Sequence, residues 1–212
     1  MSPITSIELF LADVHAHAAS QEGDALARRL SCWLAYYRAL QFIRERYGQT
    51  NAAYLQAITT SLHTRERLPT PTAAQARAEA EVLRHRLHDK YVSFAIFANG
   101  LLNSMADTWQ CYFGLGWPRS DSTHARLTRD FPALCREQGL ILAPTALPTL
   151  MRELHAALAA SPSSVAPVMD ARPEDRLTAV STAINVYIAA MMQFFARNEN
   201  HSVLSSALAD RR

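Results

Sequence analysis

TAAQARAEAEVLRHRLHDKYVSFAIFANGLLNSMADTWQCYF, residues 72–113, decides the fold. Apolar side chains recur at Leu83, Leu87, Tyr91, Phe94, Ala98, Leu101, Met105, Trp109 and Tyr112, always in steps of three or four. That spacing predicts one long helix with a buried face. At about 1.5 Å per residue it is a rod roughly 60 Å long. Thr72 and Gln75 form a capping box at its start, after the breaker Leu68-Pro69-Thr70-Pro71. Gly114-Leu115-Gly116-Trp117-Pro118 ends it. Its two halves differ. Thr72 to Lys90 is alanine-rich and charged, suited to projecting from a body. Tyr91 to Phe113 is almost wholly apolar and must be enclosed. Gly100 in this second half predicts that another backbone comes close.

Working outward, helices are expected over 5–20, 24–47 and 51–65, with Gly48 as the stop between the last two. Residues 119–139 predict one or two short helices, reset at Pro132 and closed by Gly139. A helix over 147–160 follows, then the small, Pro-rich linker SPSSVAPVMDA, and a last helix over 173–197 opened by Pro173, Glu174 and Asp175. No stretch alternates with a period of two. The expected fold class is all-α, an antiparallel helical bundle organised around one long central helix, about 72–113. Residues 1–160 form the bundle, 161–172 a linker, and 173–212 a piece packing back on it.

Composition narrows the class of protein. The chain has 212 residues, 49% hydrophobic and 19% charged, with a net charge of +2, which describes an ordered protein and gives no electrostatic case for nucleic acid. Lys90 is the only lysine among the basic residues. Cys32, Cys111 and Cys135 are far apart and odd in number, which fits a reducing compartment better than a disulfide framework or a zinc site. The start MSPITSIELF has neither a basic region nor a cleavage motif, so a cytoplasmic protein is expected. Leu177 to Ala196 is free of charge, but Thr178, Ser181, Thr182, Asn185 and Gln193 interrupt it, which predicts a core helix and no membrane span.

Four constellations could carry chemistry. Asp13, His15 and His17 spell D-x-H-x-H, but on a helix the two histidines sit about 200° apart and cannot share a metal. Glu81, His85 and His88 share a face of the long helix and are weak metal candidates, with a solvated polar face as the simpler account. Asn99, Asn103 and Asp107 form a polar line in the apolar half and are candidate binding residues, in a partner contact or at an exposed edge. Arg119 and His124 fit R-x4-H.

On that last motif and on FANGLLNSMADTWQCYFGLGW, residues 97–117, the chain resembles HEPN-type domains, a family of all-α bacterial bundles. The resemblance implies an R-x4-6-H ribonuclease in which His124 is the acid/base and Arg119 stabilises phosphate. It equally implies an inactive, binding-type relative. The reading preferred is a non-catalytic interaction module of a bacterial defence or regulatory system. Its expected partner is a protein or a second copy of the chain, with nucleic acid as a further class, and no cofactor is expected. The alternatives are a HEPN-like endoribonuclease and a metal-dependent bundle enzyme.

Overall fold

The computed structural model describes residues 7–9, 21–65, 71–113, 123–137, 139, 142, 146–159 and 173–199. Among them every regular element is a helix. Helix α1 is Gln21–Arg65, α2 Pro71–Phe113, α3 Thr123–Glu137, α4 Leu147–Ala159 and α5 Pro173–Glu199. Residues 7–9 are also helical, and the side chain of Ile7 is fully buried in the core. The all-α bundle is therefore the architecture.

Helices α1 and α2 run for 45 and 43 residues and pack side by side as an antiparallel hairpin. Specific contacts fix their register. The Trp33 indole donates to the Thr108 hydroxyl at 3.1 Å, and the Thr108 hydroxyl donates in turn to the Ser104 carbonyl at 2.8 Å. Tyr36 packs edge-on to Phe97 with ring centroids 6.0 Å apart. Farther along, Tyr54 and Ile58 pack on Ala57, Ala80 and Leu83. The main core gathers Trp33, Phe94, Leu101, Leu102, Met105 and Trp109 from this hairpin with Phe131, Leu154, Ile184 and Tyr187 from the shorter helices. It includes no α2 residue before Leu87. Beyond that level the hairpin packs largely on itself through small side chains.

Four features differ from the expectations above. First, the stop at Gly48 does not occur, and α1 passes through both Gly48 and Asn51. Contacts one turn apart bridge the glycine: Arg46 donates to Gln49 at 3.2 Å, Gln49 to Glu45 at 3.2 Å, and the Thr50 hydroxyl to the Arg46 carbonyl at 2.7 Å. Packing supplies the rest. Glu174 at the start of α5 lies where a Cβ on Gly48 would be 3.2 Å from its Oε1, and Asn51 donates to the other carboxylate oxygen at 3.1 Å. The asparagine read as a cap instead ties α1 to α5. Second, α3 is not reset at Pro132 but runs through it. Proline takes the donor away from the carbonyl four residues earlier. That carbonyl belongs to Thr128, and the Tyr187 hydroxyl of α5 approaches it at 3.4 Å. Third, what approaches Gly100 is the ring of Tyr36, whose Cε1 would lie 2.6 Å from a Cβ there. A side chain, not a backbone, fills that space.

Fourth, the start of α2 differs by one residue from the expected capping box: Pro71 takes the first helical position, so Thr72 stands inside the first turn and does not cap it. Other expectations hold. Gly139 has φ 66° and donates to the Arg136 carbonyl at 3.1 Å, closing α3. Helix α5 buries Leu177, Val180, Ile184, Tyr187, Ile188 and Met191, as a core helix should. No described helix is long and apolar enough to cross a membrane. The 10–20 stretch, the breaker at 114–118 and the linker 161–172 lie outside the described residues.

Candidate functional site

The polar line on α2 leads from the core edge to solvent. Residues four apart in a helix advance about 40° around its axis. The line therefore precesses: Asn99 and Asn103 are half-buried, and Asp107 is exposed. Asn99 meets α4, with its Nδ2 2.6 Å from Nε2 of His155. In this orientation the amide donates and the ring accepts, so the imidazole proton sits on Nδ1. The Asn99 Oδ1 is buried without a hydrogen-bond partner. The pair acts as a clamp between α2 and α4. His155 was legible in principle, because Leu147, Met151 and His155 follow at intervals of four and place the ring at the margin of the buried face.

A second polar seam lies two turns earlier on α2, where four helices meet. Arg176 of α5 is largely buried and lies 3.7 Å from the Glu153 carboxylate of α4. Beside it the Tyr91 phenol is held above its usual range, chiefly by burial and in part offset by Arg176. Burial likewise pushes Tyr47 of α1 up to about 12, assisted by Tyr91 and Glu174. Tyr37 is raised by burial too, in part offset by the neighbouring Asn185 amide.

These phenols give the protein an alkaline limit. In the unfolded chain a tyrosine ionises near pH 10, whereas Tyr47 in the fold holds its proton to about 12. The native state then binds more protons than the unfolded state between those values, and stability falls as pH rises. The Tyr47 contribution is fully present below pH 10, and its loss by pH 12 amounts to about 2 kcal/mol. Denaturant midpoints measured from pH 8 to 12 should drop above about pH 10, and Tyr47→Phe should flatten that drop. A midpoint that stays level would contradict the burial of these phenols.

The other sequence candidates are placed as follows. Glu81 and His85 are together on the exposed face of α2, 3.2 Å apart, with His88 half-buried one turn on. Arg84 grips the Glu81 carboxylate with two bonds of 3.1 and 2.6 Å and holds it below the usual carboxylate range. A cation there would first have to displace that guanidinium. Among the described residues no group of three or more His, Cys, Asp and Glu side chains gathers closely enough to hold a metal ion. Arg119 lies outside the described residues, as does the side chain of His124, whose backbone is in the first turn of α3. Asp13, His15 and His17 are likewise outside. A cavity of about 280 Å³ is lined by Thr149, Arg152, Glu153 and Ala156. All four belong to α4, and no other element lines the dimple among the described residues.

These observations define the class of the protein as an all-α bundle with an extended hairpin and polar helix-to-helix clamps. No protein-family model, characterised protein or solved structure matches the chain.

Proposed function

We propose that this chain is a non-catalytic helical interaction module that works through contact with a protein partner or a second copy of itself, in a bacterial defence or regulatory setting as the HEPN-type resemblance implies. The observation that supports this reading is the hairpin. Its distal half is two helices thick among the described residues, and it carries Leu55, Leu62 and Val82 with more than half of each side chain exposed. Leucines held outward by a pair of packed helices suit recognition by another surface. The polar groups of the seam, by contrast, are spent on joining helices: Asn99 on His155, Asn51 on Glu174, Arg176 on Glu153.

The competing reading is a HEPN-like endoribonuclease using Arg119 and His124. One observation favours it: α3 begins at Thr123, so His124 stands at a helix start, where that family usually carries its motif. Labelled RNA incubated with the wild type, Arg119→Ala and His124→Ala separates the two. The interaction module predicts the same RNA profile for all three proteins. Cleavage by the wild type that both substitutions abolish would overturn it in favour of the nuclease.

A further inference from the structure

Gly48 lies where the body of the bundle gives way to the arm of the hairpin. The last buried α1 side chain of the main core is Tyr47, and the first of α2 is Leu87. Tyr91 of α2 stands beside Tyr47 at this level. Beyond it a separate small cluster, Ala57, Ala80 and Leu83, holds the two helices together. Among the described residues Tyr54 is the hydrophobic side chain that packs against both clusters. Little apolar packing therefore joins the arm to the body.

The joint is also weak along the helices themselves. Glycine is a poor helix former, because it loses the most conformational freedom on folding. At the same level both helices carry a hydroxyl bonded to the carbonyl one turn back, Thr50 to Arg46 at 2.7 Å and Ser93 to Asp89 at 2.8 Å. Such bonds often bend a helix. Ser31 and Thr108 make the same bonds to Ala27 and Ser104, but there Trp33 bonds Thr108 and the main core encloses the helices. Gly100 differs too, because the Tyr36 ring fills the space of its missing side chain.

A contact from outside the hairpin crosses this joint. Helix α5 is held in the body by Leu177 and Val180, both fully buried. One turn before them, the Glu174 carboxylate reaches α1. Its Oε1 lies 3.2 Å from where a Gly48 Cβ would be, and its Oε2 accepts from the Asn51 amide, past the glycine, at 3.1 Å. Glu174 is exposed, so water competes for these bonds and they open without unpacking the core. We propose that the arm swings as a unit on the body about Gly48, and that Glu174 is the strap that holds it in the orientation seen here. The missing Cβ serves both ends: it seats the carboxylate against the α1 backbone, and it leaves α1 easy to bend when the carboxylate lets go. The strap sets the direction in which the hairpin tip points. This hinge does not rest on the reading of the chain as an interaction module.

Double electron–electron resonance on the full chain tests this, with Cys32, Cys111 and Cys135 replaced by alanine and spin labels on introduced thiols. One label pair spans the joint, Val82→Cys with Gln193→Cys. The other stays within the body, Ile96→Cys with Gln193→Cys. All three positions are exposed, and circular dichroism checks that each variant keeps its helix content. With the strap intact the arm pair should give a narrow distance distribution. Glu174→Ala and Asn51→Ala, each alone, should broaden it and leave the body pair unchanged. Adding Gly48→Ala to Glu174→Ala should narrow it again, because the new methyl group has room once the carboxylate is gone and alanine stiffens α1. An arm distribution that Glu174→Ala leaves unchanged overturns the proposal. So does a body pair that broadens as much as the arm pair, which places the loss in the packing of α5. A broadened arm distribution that Gly48→Ala does not narrow overturns the pivot at Gly48. None of these results depends on RNA cleavage or on a partner, so the interaction reading stands or falls separately.

Discussion

Trp33→Ala is expected to cost about 3–5 kcal/mol of stability, the range for emptying a large aromatic site in a core. For a chain of this size that lowers Tm by roughly 10 °C. Trp33 is fully buried and is among the largest of the enclosed side chains. It also carries a polar contact deep between α1 and α2, the indole bond to Thr108. Two substitutions separate the packing from the polar part. Thr108→Val keeps the shape and removes the acceptor, leaving a buried N–H, at about 1–3 kcal/mol. Trp33→Phe in the Thr108→Val background removes the stranded donor and should lose less than the sum of the two single changes. Chemical denaturation of the four proteins checks this. Equal stability of Thr108→Val and wild type would show that the indole bond does not set the register of the hairpin.

Phe131→Ala should be comparably damaging, at about 3–5 kcal/mol, because one ring joins three helices. Phe131 stands edge-on to Trp109 of α2 at 4.9 Å and 89°, and beside Tyr187 of α5 at 5.5 Å. The next residue is Pro132, whose missing N–H leaves the Thr128 carbonyl to the Tyr187 hydroxyl. Tyr187→Phe removes that donor, and because the contact is long the cost should be near the low end, about 1 kcal/mol. In a Pro132→Ala background the helix supplies its own donor, so the same substitution should become nearly neutral. Thermal unfolding of the four proteins in that cycle measures the coupling. Additive effects would mean that the hydroxyl does not serve this carbonyl.

Much of this arrangement is written in local pattern. The buried stripe of α2 from Leu83 to Trp109 follows the three-and-four spacing, and the bounds of α4 and α5 fall within a residue or two of their sequence signals. The places where pattern misleads are those where a distant residue supplies what the local sequence lacks. Gly48 reads as a stop, because nothing nearby shows that Glu174, far along the chain, will pack against it and bond Asn51. Pro132 reads as a break because Tyr187 is invisible from α3. Gly100 correctly announces a close approach, yet only the register of the hairpin identifies the Tyr36 ring. The candidate site divides in the same way. The line Asn99, Asn103 and Asp107 is visible from its spacing, and its precession from core to solvent follows from helix geometry. Its link to His155 depends on how α4 lies on α2, which spacing along one helix does not encode.

The hairpin tip is where structure and function meet. Its seam is built on Ala57, Ala73, Ala76 and Ala80, small side chains that bring two helices close but bury little apolar area. A region with so few apolar contacts opens locally more readily than the main core. Hydrogen–deuterium exchange of the full chain reads this directly. The account predicts that amides over residues 52–62 exchange faster than those over residues 94–109, which lie in the main core. Equal protection of the two stretches would contradict it.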